Sequence, residues 1–156
     1  MSADALRAAA SKATDAVAVP LSAEAIQARF DASPFIAFLG LKVVEADAAN
    51  EEITVRAPFR PELERSGGTG QWHGGPIASV IDTVGDFALV QLVGRGLPTI
   101  NFRVDYLRPA VNTALIVKAK VRRNGRSVGV ADVDVFDERG ALLAIGRATY
   151  ATLASN

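Results

Sequence analysis

The chain of 156 residues contains no cysteine and a single histidine. Without cysteine there is no disulfide, no thiolate nucleophile and no cysteine zinc site; one histidine excludes a multi-histidine metal centre within one chain. An excess of either charge is also missing. Lys+Arg and Asp+Glu number 17 each, which leaves no broad cationic surface for a nucleic-acid backbone or an anionic membrane. No unbroken apolar run approaches the ~20 residues of a membrane span, and the alanine-rich stretch Met1–Pro20 lacks the long apolar segment of a secretory signal. The expectation is a cytoplasmic protein with neither nucleic acid nor membrane as partner. Hydrophobic residues make up 49% of the chain, enough at this length for one packed core and too little for two domains.

Residues 1–20 read as a flexible leader and 21–156 as the single domain. Ser22 can cap a short helix bearing Ile26 and Phe30, and Ser33-Pro34 can open another turn that Gly40 ends. Leu41–Glu45 and Glu52–Phe59 read as strands joined by the polar turn Asp47-Ala48-Ala49-Asn50. A loop from Pro61 to Gly70 leads to the longest helical candidate, Pro76–Val93, stopped by Gly94. Its Ile77, Ile81, Val84, Ala88 and Leu92 recur at helical spacing. After Pro98 only strands follow. Thr99–Tyr106 alternates with Ile100, Phe102, Val104 and Tyr106 on one face, so Tyr106 reads as core. Leu115–Arg122, Ser127–Phe136 and Ala141–Thr152 are the others, with Asn124-Gly125 as a type I′ hairpin turn. The order predicts an α+β fold, an antiparallel sheet curled around one long central helix.

The most informative segment runs Trp72-His73-Gly74-Gly75-Pro76-Ile77-Ala78-Ser79-Val80-Ile81-Asp82. Paired glycines let backbone N–H groups approach a ligand at the positive end of a helix, and Asp82 follows among apolar residues, where a carboxylate is costly unless partnered or used. A donor for an oxyanion and a downstream carboxylate suit acyl transfer. His73 reads as a pin for the loop or as a general base. Asp86, one turn after Asp82, either tunes it or contacts substrate, or is solvated or bound to a loop. At about 1.5 Å of rise per residue, Gly74 and Asp82 lie roughly 12 Å apart along one helix. If they cooperate, two antiparallel helices related by a twofold axis would bring Gly74 of one chain to Asp82 of another.

Together, His73-Gly74-Gly75, Asp82, Tyr106-Leu107-Arg108-Pro109-Ala110 and Arg122-Arg123-Asn124-Gly125-Arg126-Ser127 resemble the hotdog-fold thioesterases, in particular the PaaI-like (phenylacetate-pathway) branch. The resemblance runs from about Pro34 to Thr152. It implies a hotdog fold, hydrolysis of acyl-CoA thioesters, and assembly as a homodimer or a dimer of dimers, that is, a homotetramer. No cofactor is implied beyond the CoA carried by the substrate, and no metal. By resemblance Asp82 activates water or attacks the carbonyl, Gly74 donates to the thioester oxygen, and Thr99 stands where a relative has a serine that positions water or carbonyl. Arg123 and Arg126 would meet the CoA phosphates, with Gly75 and Tyr106 also on the substrate-binding side. One departure is clear: six positions before the histidine, where the family often has Asn or Gln, stands Gly67. Ser66, Thr69 and Gln71 are the nearby substitutes.

The acyl group reads as aromatic or medium-chain if Phe35, Phe38, Trp72, Phe87 and Phe102 line a pocket, though the same residues could fill the core. Two other readings are an idle hotdog dimer that binds acyl-CoA or a small aromatic ligand, and a hydratase, for which His73 is the sole histidine.

Overall fold

The computed structural model describes residues 19–153, so the expected leader, but for its last two residues, lies outside the described residues. Ser22 accepts the Ala25 N–H (3.2 Å) and starts α1 (Ala23–Ala32), which buries Ile26 and Phe30. Pro34 opens α2 (Pro34–Leu39), and Gly40 closes it at φ 69°. Next come β1 (Lys42–Asp47) and β2 (Glu52–Ala57), joined by the expected polar turn. There the Asp47 carboxylate accepts both the backbone N–H of Asn50 (3.0 Å) and its side-chain amide (2.7 Å).

The long helix α3 spans Gly74–Val93, starting two residues earlier than the proline suggests. His73 is its N-cap, and the Nδ1 of that residue accepts the Gly75 N–H (2.9 Å). Pro76 then falls within the first turn, where its missing N–H costs nothing. Four more strands follow: β3 (Thr99–Tyr106), β4 (Leu115–Asn124), β5 (Val128–Phe136) and β6 (Leu142–Ala151). They form one six-stranded antiparallel sheet in the order β1-β2-β4-β5-β6-β3. The sheet wraps α3, whose Val80, Ile81, Val84, Ala88 and Leu89 are buried with Val117, Ala119, Val133, Val135 and Ala148 of the sheet. This is the α+β hotdog architecture. By length and composition alone α3 is apolar enough to cross a membrane, although Asp82 and Asp86 interrupt its apolar run. Here its apolar surface is taken up by the sheet.

Two sequence expectations change. Neither Asn124 nor Gly125 has positive φ, so the β4–β5 connection is not a type I′ turn. The strands pair last at Asn124 and Gly129, past a bulge at Val121/Arg123. The tip is tied down from outside the hairpin: the Thr152 N–H donates to Ser127 O (3.1 Å) and the Thr152 hydroxyl to Gly125 O. Tertiary hydrogen bonds set this turn in place of the local preference.

The second change concerns β3, at the sheet edge. Thr99 pairs with Tyr150 and Asn101 with Thr149, so Ile100 is an extra residue, a β-bulge. The bulge shifts the alternation by one, removing Ile100 from the face shared by Phe102, Val104 and Tyr106 and putting Thr99 on it. That face points towards α3, since a side chain on Gly146, the partner of Val104, would meet Ile81. α3 meets the edge strand only in part, through Asp82 and Gly74, so Phe102 and Tyr106 are exposed rather than core.

Candidate active site

Asp82 sits midway along α3, half-buried, where the re-aimed Thr99 meets it. The Thr99 hydroxyl donates to Asp82 Oδ1 at 2.9 Å. From β6 the Tyr150 hydroxyl donates to the main-chain carbonyl of Asp82 (2.7 Å). Tyr150 is fully buried, and burial together with the charges of Asp82 and Asp86 pushes its phenol up, so it remains a donor. The acid is therefore held twice, by its side chain and by its backbone.

Asp86 lies one turn further on. Its Oδ1 is buried with no hydrogen-bond partner among the described residues. Burial first, and then the negative charge of Asp82, push it from 3.8 up to about 7. The folded chain thus keeps a proton that the unfolded chain releases near pH 3.8, and stability is lost as pH rises towards 7 and beyond. Asn at this position carries no charge at any pH. Between pH 4 and pH 8 the stability of Asp86→Asn relative to wild type is expected to rise by on the order of 4 kcal/mol. Urea denaturation at the two pH values checks this, and parallel pH dependences would contradict it.

The start of α3 forms the other half. His73 is exposed and its Nδ1 is occupied as a cap, so it secures the helix start. The same bond engages the Gly75 N–H. The Gly74 N–H has no acceptor among the described residues. Tyr106 donates from its hydroxyl to the Gly74 carbonyl (2.6 Å), and burial pushes its phenol up. A cleft of about 390 Å³ opens beside these groups, lined by Gly74, Ile77, Trp72, Tyr106, Gln71 and Arg65 among others.

At the Gly67 departure, residues 66–70 form a tight turn clamped by Glu64, whose carboxylate accepts the N–H groups of Gly68 (2.6 Å) and Gly70 (2.9 Å). The Thr69 hydroxyl donates to Ser66 O (2.6 Å). Of the three substitutes only Gln71 lines the cleft with Gly74. Arg108, from the Tyr106-Leu107-Arg108-Pro109-Ala110 motif, lines it too. No local pattern marks Arg65, and Arg108 stands in a motif that does not place it; only the fold brings the two beside Gly74. Trp72 and Phe87 are buried, each edge-to-face with another ring, Phe59 and Phe30 respectively, whereas Phe35, Phe38 and Phe102 are exposed.

One chain does not unite the two halves. Residues 74 to 93 form continuous helix, which rules out a folded-back loop at Gly74, and eight residues of rise put Asp82 about 12 Å further along the axis. Arg123 and Arg126, exposed at the β4–β5 tip, lie near the far end of α3, where Arg95 donates to Thr152 O. Among the described residues neither arginine pairs with a carboxylate.

Comparison with known proteins bears on this arrangement. The family model of the Thioesterase superfamily matches residues 69–144, which span the helix start, Asp82 and Thr99. A candidate esterase of Halobacterium salinarum is 36% identical over 140 residues, covering 83% of this chain and 91% of that protein. A medium/long-chain acyl-CoA thioesterase of Salmonella typhimurium is 29% identical over 133 residues, covering 75% and 84%. Among solved structures, a thioesterase-superfamily protein superposes with a TM-score of 0.74 at 35% identity, covering 79% of this chain and 92% of that one.

Proposed function

Given that this chain belongs to the thioesterase superfamily and is a thioester hydrolase, we propose that it hydrolyses aromatic or medium-chain acyl-CoA esters at a site shared by two copies of the chain. The observation that carries this reading is a pair of groups on one helix: a free N–H at Gly74 and, eight residues on, a carboxylate oriented by Thr99. Each is half of an acyl-transfer site. Two α3 helices antiparallel about a twofold axis place one half of each opposite the other. The unpaired edge strand β3, with Phe102 and Tyr106 exposed on the face towards α3, supplies a surface for the second copy.

The Gly74 N–H donates to the thioester oxygen and stabilises the charge that develops there when the carbonyl carbon is attacked. Asp82 either takes a proton from the attacking water, which gives the free acid directly, or attacks the carbon itself, in which case the mixed anhydride left on Asp82 is hydrolysed by water to the acid. The carbon–sulfur bond then breaks, and the CoA thiolate leaves and takes up a proton. Thr99 orients the carboxylate. The cleft walls of Ile77, Trp72 and Tyr106 suit an apolar acyl group, consistent with the medium/long-chain acyl-CoA named for the Salmonella relative. In the same twofold arrangement the hairpin tip of the second copy lies beyond Gly74, within reach of the CoA phosphates through Arg123 and Arg126.

Thiol release from a panel of aromatic and aliphatic acyl-CoAs tests the reading. Release that depends on acyl type supports it; acyl-CoA binding without release would replace it with an idle binding dimer. Arg123→Ala is expected to raise KM for CoA esters by about tenfold, the loss of one charge-assisted phosphate contact, and to leave thioesters lacking the nucleotide unaffected. Equal effects on both substrates would remove Arg123 from the phosphate site.

A further inference from the structure

We infer that the cleft beside Gly74 takes an acyl group whose far end is a carboxylate, held by Arg65 and Arg108. The preferred substrates are then CoA esters of dicarboxylic acids, a narrowing of the medium-chain reading that rests on Gly74 receiving the thioester oxygen. Two backbone segments form the cleft. In residues 64–72 the Arg65 N–H donates to Gln71 O (2.8 Å), and Glu64 pairs with Trp72 as an antiparallel bridge. In residues 106–110 the N–H groups of Leu107 (2.8 Å) and Arg108 (3.0 Å) both donate to Leu143 O. The Trp72 N–H ties the two segments together by donating to Ala110 O (3.0 Å). Each segment thus has a fixed backbone and brings one arginine to the cleft.

Two guanidinium groups on one small cleft favour an anion between them, and the chain supplies none. No acid lines the cleft. Among the described residues neither Arg65 nor Arg108 pairs with a carboxylate. Glu64, next to Arg65 in the chain, has its carboxylate engaged by the N–H groups of Gly68 and Gly70. The remaining walls, Ile77, Trp72 and Tyr106, are largely apolar. An oxyanion donor, apolar walls and two forked cations match the three parts of an acyl thioester that ends in a carboxylate.

The CoA phosphates are the other anions of the substrate, and distance sets them apart. The thirteen bonds of pantetheine between sulfur and phosphorus span roughly 15 Å when extended, like four residues of extended chain. A compact space of 390 Å³, the volume of the cleft, is on the order of 9 Å across. An extended arm leaving a thioester at Gly74 therefore carries the phosphates beyond it. A diacid of roughly four to eight carbons, at about 1.2 Å per bond, fits within the same span.

The test compares hexanedioyl-CoA with hexanoyl-CoA, which have equal carbon counts and differ only at the far end. Thiol release should give hexanedioyl-CoA a kcat/KM about tenfold or more above that of hexanoyl-CoA, the effect of a charge-assisted contact. The CoA ester of hexanedioic acid monomethyl ester, uncharged at that end, should behave like hexanoyl-CoA. In the double variant Arg65→Gln/Arg108→Gln the ratio should fall to about one. Both side chains are exposed, so this variant should fold. Equal kcat/KM for the two esters in wild type would overturn the inference and leave medium-chain hydrolysis standing. A ratio that survives in the double variant would overturn it too. So would equal impairment on both esters, the result expected of a phosphate contact, or loss of the dimer, which would assign the arginines to an interface. Absence of thiol release from every acyl-CoA would refute the proposed hydrolysis itself, and the inference with it.

Discussion

Asp82→Asn is expected to lower kcat for acyl-CoA hydrolysis by about a thousandfold or more, because the base or nucleophile of the reaction is removed outright. The fold should be untouched. The bond from Tyr150 reaches the main-chain oxygen of residue 82, which the substitution leaves in place. The Thr99 hydroxyl can still donate to the amide oxygen at the position it uses now. Thiol release should therefore vanish while the melting temperature and acyl-CoA binding stay near those of wild type. A variant within about threefold of wild-type kcat would remove Asp82 from the chemistry.

Gly146→Val is expected to destabilise the protein by about 3 kcal/mol or more. Gly146 lies on β6 directly under α3, and a Cβ there would stand 2.5 Å from Ile81 Cγ2 and 3.2 Å from the Arg103 carbonyl. Neither neighbour can yield. The carbonyl is backbone, and Ile81 is fully buried one residue before Asp82. The close approach of helix to sheet is thus part of how the site is held. Gly85, on the helix side, makes the reciprocal contact: a Cβ on it would lie 2.5 Å from the Tyr150 hydroxyl, which holds Asp82 by its carbonyl. Gly96→Ala is the control. Nothing stands within 4 Å of a Cβ at that position, and its stability should stay within about 0.5 kcal/mol of wild type. Urea denaturation of the two variants checks the contrast; equal stabilities would contradict this account of the packing.

The long helix was readable from the apolar recurrence Ile77, Ile81, Val84, Ala88, and the strands from their alternation, because both are local periodicities. The α+β arrangement follows from their order. The bulge at Ile100 was not readable, since it is a property of how β3 pairs with β6 and leaves the amino-acid alternation intact. For that reason sequence reading puts Thr99 on the outer face, and only the register reveals that it meets Asp82. Tyr106 is a related case. Its position in the alternation is apolar, but being on an edge strand it ends up exposed, bonded to Gly74. At the hairpin, Asn124-Gly125 carries a strong local preference that bonds from Thr152, far along the chain, override. His73, Gly74 and Asp82 stand out in the sequence because a helix start and a lone acid on an apolar face are local features. Asp86 stands out too, but the burial of its Oδ1 comes from the fold.

The claim that one site draws on two chains is tested most directly by mixing two dead variants. Gly74→Pro removes the proposed N–H donor and keeps the extended backbone that His73 (φ −71°, ψ 145°) already has. The Tyr106 ring, 3.2 Å from a Cβ at Gly74, has to give slightly. Alone, Gly74→Pro and Asp82→Asn should each be inactive. Random reassembly of equal amounts should give about half mixed dimers, each with one intact site, and recover about a quarter of wild-type activity. Mixed dimers that form and remain inactive would contradict the shared site and return both halves of the chemistry to a single chain.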